Sequence, residues 1–549
     1  MTALPSRCAV LIVGAGPTGL TLAIRLQQLG VDCLLIDKEP APLPWSRGLG
    51  LQARTLEIFD ALGVLSAVRQ QSIEVKAMHL HNQRGPLLEL DLTGLDAPFP
   101  WVLSCPQTDV ENCLIEHYLQ IGGKLLRDTA LLDFRQHGHA VEARLMHAEE
   151  TVTLQCDLVV GCDGANSLVR EQLGLSFQGV DYADQFLLAD VDVDWPHSKE
   201  SAHAFLSGEG ALFALPLPQG WRLVLNVATD EILPEEPSLD AFKQRLTHLF
   251  AEPPALSDPY WISAFSIHRR LAGRYRVNRV LLAGDACHVQ SPVGAQGMNT
   301  GIADGFNLAW KLALFLQGIG GGKLLDSYET ERRPVAKSML TNVDFLSRSS
   351  FSRNALWRGA RDSMLKLLAR QPTLSAKFLR TMSQLDVNYR DSAIVGAGSG
   401  LFASLADDGP EPGDRMPDAS LKNYNSGEAL RLQSCLREPK HHLFVQLSSE
   451  LDHHEIVAAF ALADRVPETF GQHVKTSLIL ANAMPDTMRD IEDFDVAVLV
   501  DEDGSFRAQY GESAGLWLMR PDGHLGYRAH LSDGDQLLSY LRALFQQQG

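Results

Sequence analysis

The sequence predicts an α/β chain, α+β overall: a parallel βαβ unit, a mostly antiparallel sheet and a second α/β unit along 549 residues. Three observations predict this. The β-branched apolar run CAVLIV (8–13) leads through a glycine turn into helically spaced residues 18–30 and a second apolar run, DCLLID (32–37). Buried parallel strands read as short continuous apolar runs of this kind. Residues 177–267 instead alternate (AHAFL, ALFALPLP, WRLVLNVA) between Gly and Pro breaks, the mark of antiparallel strands with one buried face. Beyond a Gly/Asp/Pro-rich stretch at 391–427, strand-like runs (HHLFVQL, TSLILA, VAVLVD, GLWLMRP) again alternate with helical ones.

The remaining elements follow in order. Residues 54–70 have helical spacing, and 129–160 alternate with breaks at His-Gly and Glu-Glu, as antiparallel strands do. One helix, SLDAFKQRLTHLF, interrupts the middle sheet. The run VNRVLLAGD (277–285) returns to the buried-strand style, and helix follows from 297 to about 380. The expected organisation is therefore a nucleotide-type domain in two parts (1–176 and 268–390), with the 268–390 part also holding the helical region. A sheet domain (177–267) lies between the two parts, and a linker (391–427) leads to a C-terminal α/β domain (428–549).

Composition sets the class. Hydrophobic residues at 45% and charged residues at 21% are those of an ordinary globular protein. The net charge of −19 argues against nucleic acid, which needs a basic footprint, and against stable association with anionic membranes. No uncharged apolar run approaches 18 residues. The eight cysteines form no C-x-x-C pair and fit no zinc module, so the expectation is no metal and a reducing, cytoplasmic setting. The apolar N-terminal run enters a glycine turn at once, unlike a secretory signal.

Gly14-Ala15-Gly16-Pro17-Thr18-Gly19 carries the first chemistry. It follows a strand and opens a helix, the Rossmann-like setting for a dinucleotide. Gly14 permits the tight turn, Gly16 lets backbone approach a pyrophosphate, and Gly19 lets helix pack on strand. Free N–H groups of the helix then face the phosphates. Asp37, with Lys38 beside it, ends the second strand, where a carboxylate can accept ribose hydroxyls. Two further segments follow strands. One is Asp163-Gly164-Ala165-Asn166-Ser167 with Arg170. The other is Gly284-Asp285-Ala286-Cys287-His288, continuing through Ser291-Pro292-Val293-Gly294-Ala295-Gln296-Gly297-Met298-Asn299. Each alone could be a capped helix entry.

Together, in this order and spacing, the three segments resemble the signatures of the group A FAD-dependent aromatic hydroxylases, single-component flavoprotein monooxygenases. SRGLGLQARTLE around Arg47 and CPQTDVENCL around Gln107 resemble that family's flavin-contacting segments. Asn388-Tyr389-Arg390-Asp391 and Gly413-Asp414-Arg415-Met416-Pro417-Asp418 resemble the phenol hydroxylase and pentachlorophenol monooxygenase branch, whose C-terminal domain is thioredoxin-like. Departures are Asp37 for the usual Glu, Ala295 for the usual Gly, and the missing C-x-x-C, which leaves the C-terminal domain without dithiol chemistry.

The resemblance implies non-covalent FAD, NADPH or NADH as co-substrate, and O2. It implies hydroxylation of a phenolic or other electron-rich aromatic molecule through a flavin C4a-hydroperoxide, by a homodimer. The flavin-site residues would be Gly14, Ala15, Gly16, Pro17, Thr18, Gly19, Asp37, Lys38, Arg47, Gln107, Asp163, Asp285, Pro292, Gly294, Gln296, Gly297, Met298 and Asn299. Arg47, Asp163 and Arg170 are candidates to contact NAD(P)H, and Pro292, His203, Phe205 and Phe213, with Leu215, to line the substrate pocket. No catalytic residue is assigned; His288 reads as a helix-entry histidine without a proton role. Alternatives are the same machinery acting on a polyketide or antibiotic (hydroxylation, epoxidation or Baeyer–Villiger insertion), or a FAD-bearing binding protein without turnover. Gly396-Ala397-Gly398-Ser399-Gly400 and Gly320-Gly321-Gly322-Lys323 lack the strand and helix context of nucleotide loops.

Overall fold

The computed structural model describes residues 5–44, 48–227, 237–290, 294–352, 354–399, 409–450, 452–481 and 496–546, with backbone alone at 181–184 and 267. Strand Arg7–Val13 lies between Glu150–Gly161 and Cys33–Ile36, with Val280–Leu282 and Leu125–Leu126 further out on either side. These neighbours are parallel: Val10 pairs Leu158 on one side and Cys33 on the other, and Val159 pairs Val280. The apolar runs are buried because both faces are covered; Val10, Leu11 and Ile12 have no exposed surface. The order brings the carboxyl ends of several strands together. Gly14, Asp37, Cys162 and Ala283 thus leave the sheet along one edge, where ligands of open α/β sheets bind.

The antiparallel sheet runs His288–Val289, Ala255–Ala272, Phe177–Asp194, Trp221–Val227, Ala211–Pro216, Ser201–Leu206, Ala77–Asn82, Gly85–Asp91. The last two strands come from outside the expected 177–267 segment. Ala77–Asn82 pairs parallel with Ser201–Leu206, a contact across more than 100 residues that no local pattern announces.

The C-terminal sheet has the core order Leu525–His530, Gly515–Met519, His441–Gln446, Val474–Leu480. His441–Gln446 and Val474–Leu480 are parallel, joined by helix His453–Phe470, and an antiparallel hairpin and helix Gly534–Leu544 complete the thioredoxin-like arrangement. The expected linker is part of this sheet. Gly396–Ala397 pairs with Tyr527–Arg528 at one edge, and Ser420–Asn423 joins Ala497–Val500 at the other.

This domain is not tethered loosely. Arg25 of the first helix is fully buried and donates to the carbonyls of Leu436 (2.9 Å) and Pro521 (3.0 Å). Glu331 accepts from Arg520 (2.7 and 2.8 Å) and Lys311 (2.6 Å), all buried. Arg415 pairs with buried Glu57, and Met416, Phe444 and Trp517 share one apolar core with the parallel sheet.

Candidate active site

In the first glycine loop, two of the three glycines are demanded by the backbone itself. Gly14 has φ +104, and a Cβ there would lie 2.3 Å from the Cys162 carbonyl oxygen. A Cβ on Gly19 would lie 2.0 Å from the Gly14 carbonyl oxygen, so this helix packs as closely as backbone allows. Gly16 is different: its φ of −76 suits any residue, and a Cβ would meet nothing within 4 Å. Its hydrogen faces open cleft. Pro17 sits at the first helical turn, where no N–H is required. Thr18 Oγ1 fills the space above Gly284 and Gly301, knitting the first segment to the third.

Gly14, Ala15, Gly16, Asp37, Lys38, Gln107 and Asp163 line one cleft of about 530 Å³. Asp37 accepts from the backbone N–H of Ala15 (2.7 Å) and of Glu39 (2.9 Å), which fixes the turn and holds its carboxylate at the cleft wall. Gln107 donates to Glu111 (2.8 Å). The lining also includes three charged residues that sequence inspection missed, Glu39, Glu111 and Arg127. Arg127 lies 3.8 Å from Asp37, and neither its buried Nη2 nor Oδ1 of Asp163 has a hydrogen-bond partner among the described residues. An open glycine face, a helix N-terminus and an orphaned guanidinium nitrogen in one long cleft fit a dinucleotide diphosphate. The weak signal for Arg127 was its position, just past a short strand neighbouring Cys33–Ile36.

Arg170 does not reach this cleft. It donates to the carbonyls of Ala286 (3.1 Å) and Ala165 (2.9 Å) and stacks 3.8 Å from the Phe177 ring. It latches the second segment to the third instead of meeting NAD(P)H. Arg170→Met should therefore leave the KM for NAD(P)H unchanged and lower stability by about 2–3 kcal/mol, the scale of charged hydrogen bonds to buried carbonyls. A rise in that KM with unchanged thermal stability would restore the nucleotide role.

Asp285 is exposed, and His288 is buried behind it, its Nε2 2.7 Å from Asp304. Asp304 also accepts from Arg332 Nε (2.6 Å). Burial pushes the Asp304 carboxyl up, but Arg332 and His288 outweigh it and hold it below the usual carboxylate range. His288 is thus held in place by Asp304. Gln296 donates to the Gly294 and Met382 carbonyls (3.0 and 2.8 Å). Asn299 donates to Gly50 and Ala295 and accepts from Gln52 N–H and Thr55. Both side chains therefore fasten the entry of helix Gly297–Leu316 rather than projecting to a ligand. Met298 sits against Gly48. Ala295 holds φ +53, the left-handed region, which explains why Gly is usual there. Arg47 and Pro292 lie outside the described residues.

Gly294 and Ala295 also border a second, apolar pocket of about 190 Å³. Register decides its walls. Ala204 faces Phe213, Phe213 faces Val224, and Met78 and Leu80 lie beside Ala202 and Ala204. These positions and Leu215 line the pocket. His203 and Phe205, one residue out of phase with them, send their rings to the opposite face. His203 borders the pocket, yet its ring stacks on His79 (5.1 Å) and lies tilted against His197 (4.1 Å), and Phe205 stacks on His81 (4.8 Å) and meets Phe250 edge-on (4.9 Å). Of the described candidates His203, Phe205 and Phe213, only Phe213 turns its ring into the lining. Burial and the neighbouring His197, His79 and His81 rings push His203 down to about 3, so it is neutral near pH 7. Among the described lining residues, no acid or base turns its side chain into the pocket.

A parallel-sheet nucleotide cleft joined through one helix entry to an apolar pocket under an antiparallel sheet defines a flavoprotein monooxygenase. A family model described as "FAD binding domain" matches residues 7–343. The chain is 30% identical to pentachlorophenol 4-monooxygenase of Sphingobium chlorophenolicum, covering 98% of this chain and 96% of that protein. It is also 30% identical to 6-methylpretetramide 4-monooxygenase of Streptomyces rimosus, over 97% and 93%. An anhydrotetracycline hydroxylase structure from Streptomyces rimosus superposes with a TM-score of 0.77 at 27% identity, covering 98% and 99%. Aklavinone-11 hydroxylase with FAD and aklavinone gives 0.76 at 26%, over 99% and 100%. The chain belongs to the FAD-binding-domain family of flavoprotein monooxygenases.

Proposed function

We propose that the enzyme hydroxylates a phenolic or other electron-rich aromatic molecule, with NADPH or NADH as reductant and O2 as oxidant. The supporting observation is the apolar pocket abutting Gly294-Ala295, at the entry of helix Gly297–Leu316, which the third signature segment opens. Bound FAD supplies the hydride and oxygen chemistry. The chain binds the diphosphate at Gly14–Gly19 and holds the Gly297 helix N-terminus, with its partial positive charge, toward an anionic ring edge. It also excludes water with the walls around Phe213 and Met78. A largely apolar wall suits a neutral ring system. The names of the 6-methylpretetramide and anhydrotetracycline enzymes favour a second reading, a polycyclic polyketide or antibiotic. Eight unpaired cysteines support a reducing, cytoplasmic setting, and the resemblance supports a homodimer.

The described residues hold no second βαβ glycine loop, so NAD(P)H meets the flavin transiently, near Asp163, and substrate gates that meeting. NAD(P)H oxidation should be slow alone and rise at least about tenfold with the right aromatic substrate, equivalent to about 1.4 kcal/mol of barrier. A panel of phenols and neutral polycyclic phenols, scored for NAD(P)H consumption and oxygenated product, tests this. Flavin-replete enzyme that no aromatic compound stimulates would overturn it.

A further inference from the structure

Helix Ala355–Arg370 has two apolar faces, and only one has a partner among the described residues. Leu365 and the half-buried Leu368 pack with Leu88 and Leu90 of strand Gly85–Asp91, behind the substrate pocket. On the other side, Leu356, Ala360, Met364 and Leu367 recur at helical spacing with Trp357 beside them, and all five are exposed. Leu356 is 84% and Trp357 65% exposed, unusual for large apolar side chains on adjacent positions. Leu374 of the next helix, Pro372–Met382, is exposed as well.

Charge says what covers this face. Residues 354–382 carry six Lys or Arg and one Asp, in a chain whose net charge is −19. The one acid, Asp362, is spent on Arg361 and Asn82. Lys366, Arg370 and Lys377 are exposed and in no ion pair among the described residues. A second copy of this hairpin would bring cations against cations. An anionic, apolar-cored surface complements both features. The acidity of the rest of the chain does not cancel this, because screening limits its reach to about 8 Å at physiological salt.

We propose that the hairpin 354–382 docks on an anionic lipid surface. Its inner side contributes Phe378 and Met382 to the pocket wall, so docking sets the substrate pocket beside the phase into which an apolar aromatic molecule partitions. Docking itself does not require turnover and is measurable whatever the substrate proves to be.

Flotation of the holoenzyme with vesicles of phosphatidylglycerol and phosphatidylcholine, against phosphatidylcholine alone, tests this. The expected result is at least tenfold greater partition into the anionic vesicles. The Leu356→Asp/Trp357→Asp double variant should lose that partition at least tenfold while keeping flavin content and thermal stability. Lys366→Gln/Arg370→Gln/Lys377→Gln should lose the preference for anionic over neutral vesicles. Wild-type enzyme that does not float, or variants that float equally well, would overturn the proposal. So would absent flotation together with a dimer that the Leu356→Asp/Trp357→Asp variant converts to monomer, since the face would then be a subunit interface.

Discussion

A Gly16→Val variant is expected to fold and to purify without flavin. The backbone at Gly16 has φ −76 and ψ −179, which valine adopts freely, and no protein atom stands within 4 Å of the new Cβ. Nothing in the apoprotein resists the substitution. The branched side chain enters the part of the cleft where a pyrophosphate approaches the backbone. FAD affinity should fall at least about a hundredfold, some 2.8 kcal/mol. Gly14→Val is the matched contrast. There φ is +104 and the Cys162 carbonyl lies 2.3 Å from the Cβ, so that variant should fail to fold. Absorbance of the purified protein and a thermal melt compared with the wild-type apoprotein separate the two, since bound flavin itself stabilises the native state. A Gly16→Val protein with full flavin occupancy would remove the diphosphate from this loop.

Glu331→Ala should be the most damaging change far from the cleft. Its carboxylate accepts from Arg520, Lys311, Asn307 and Ser392, all inside the junction between the parallel sheet and the C-terminal domain. Removing it leaves two buried cations without their common partner, a cost of about 3–5 kcal/mol. Burial pushes the Glu331 carboxyl up, but Arg520 and Lys311 dominate and hold it well below 4.5. The folded protein therefore binds this proton less readily than the unfolded chain. The stabilisation is present above the ordinary carboxylate range and is lost as pH falls through it toward the depressed folded value. Denaturant melts from pH 7 to pH 3 should show a steep acid limb in the wild type. Glu331→Gln should flatten that limb from a lower starting stability. An unchanged acid limb would place the acid sensitivity elsewhere. Deleting 415–549 strips Arg520 and Arg415 from buried Glu331 and Glu57 and should yield insoluble protein.

Much of this architecture was legible in the residues. The strand–turn–helix around Gly14–Gly19 and the strands 8–13 and 32–37 were readable because both faces of the strands are buried and the glycine spacing follows directly on the first of them. What was not legible depends on distant pairing. Ala77–Asn82 joins the middle sheet only through Ser201–Leu206, and that register turns His203 and Phe205 away from the pocket that Phe213 enters. Arg170 and Asn299 sit in the right segments, but their donors are consumed by carbonyls that the sequence does not place nearby. The charges docking the C-terminal domain look like surface residues in the sequence, because burial of a Lys or Arg leaves no local pattern. The segment 391–427 has a linker's composition, yet parts of it pair with both edges of the C-terminal sheet.

The most direct measurement follows oxygen. Holoenzyme is supplied with NAD(P)H, an aromatic compound that stimulates its oxidation, and 18O2, and the product is weighed by mass spectrometry. The expected result is one 18O atom in each hydroxylated product, with NAD(P)H consumed in matching amount. Stimulated NAD(P)H consumption that ends only in hydrogen peroxide, or a product oxygen drawn from water, would contradict a monooxygenase working at this apolar pocket.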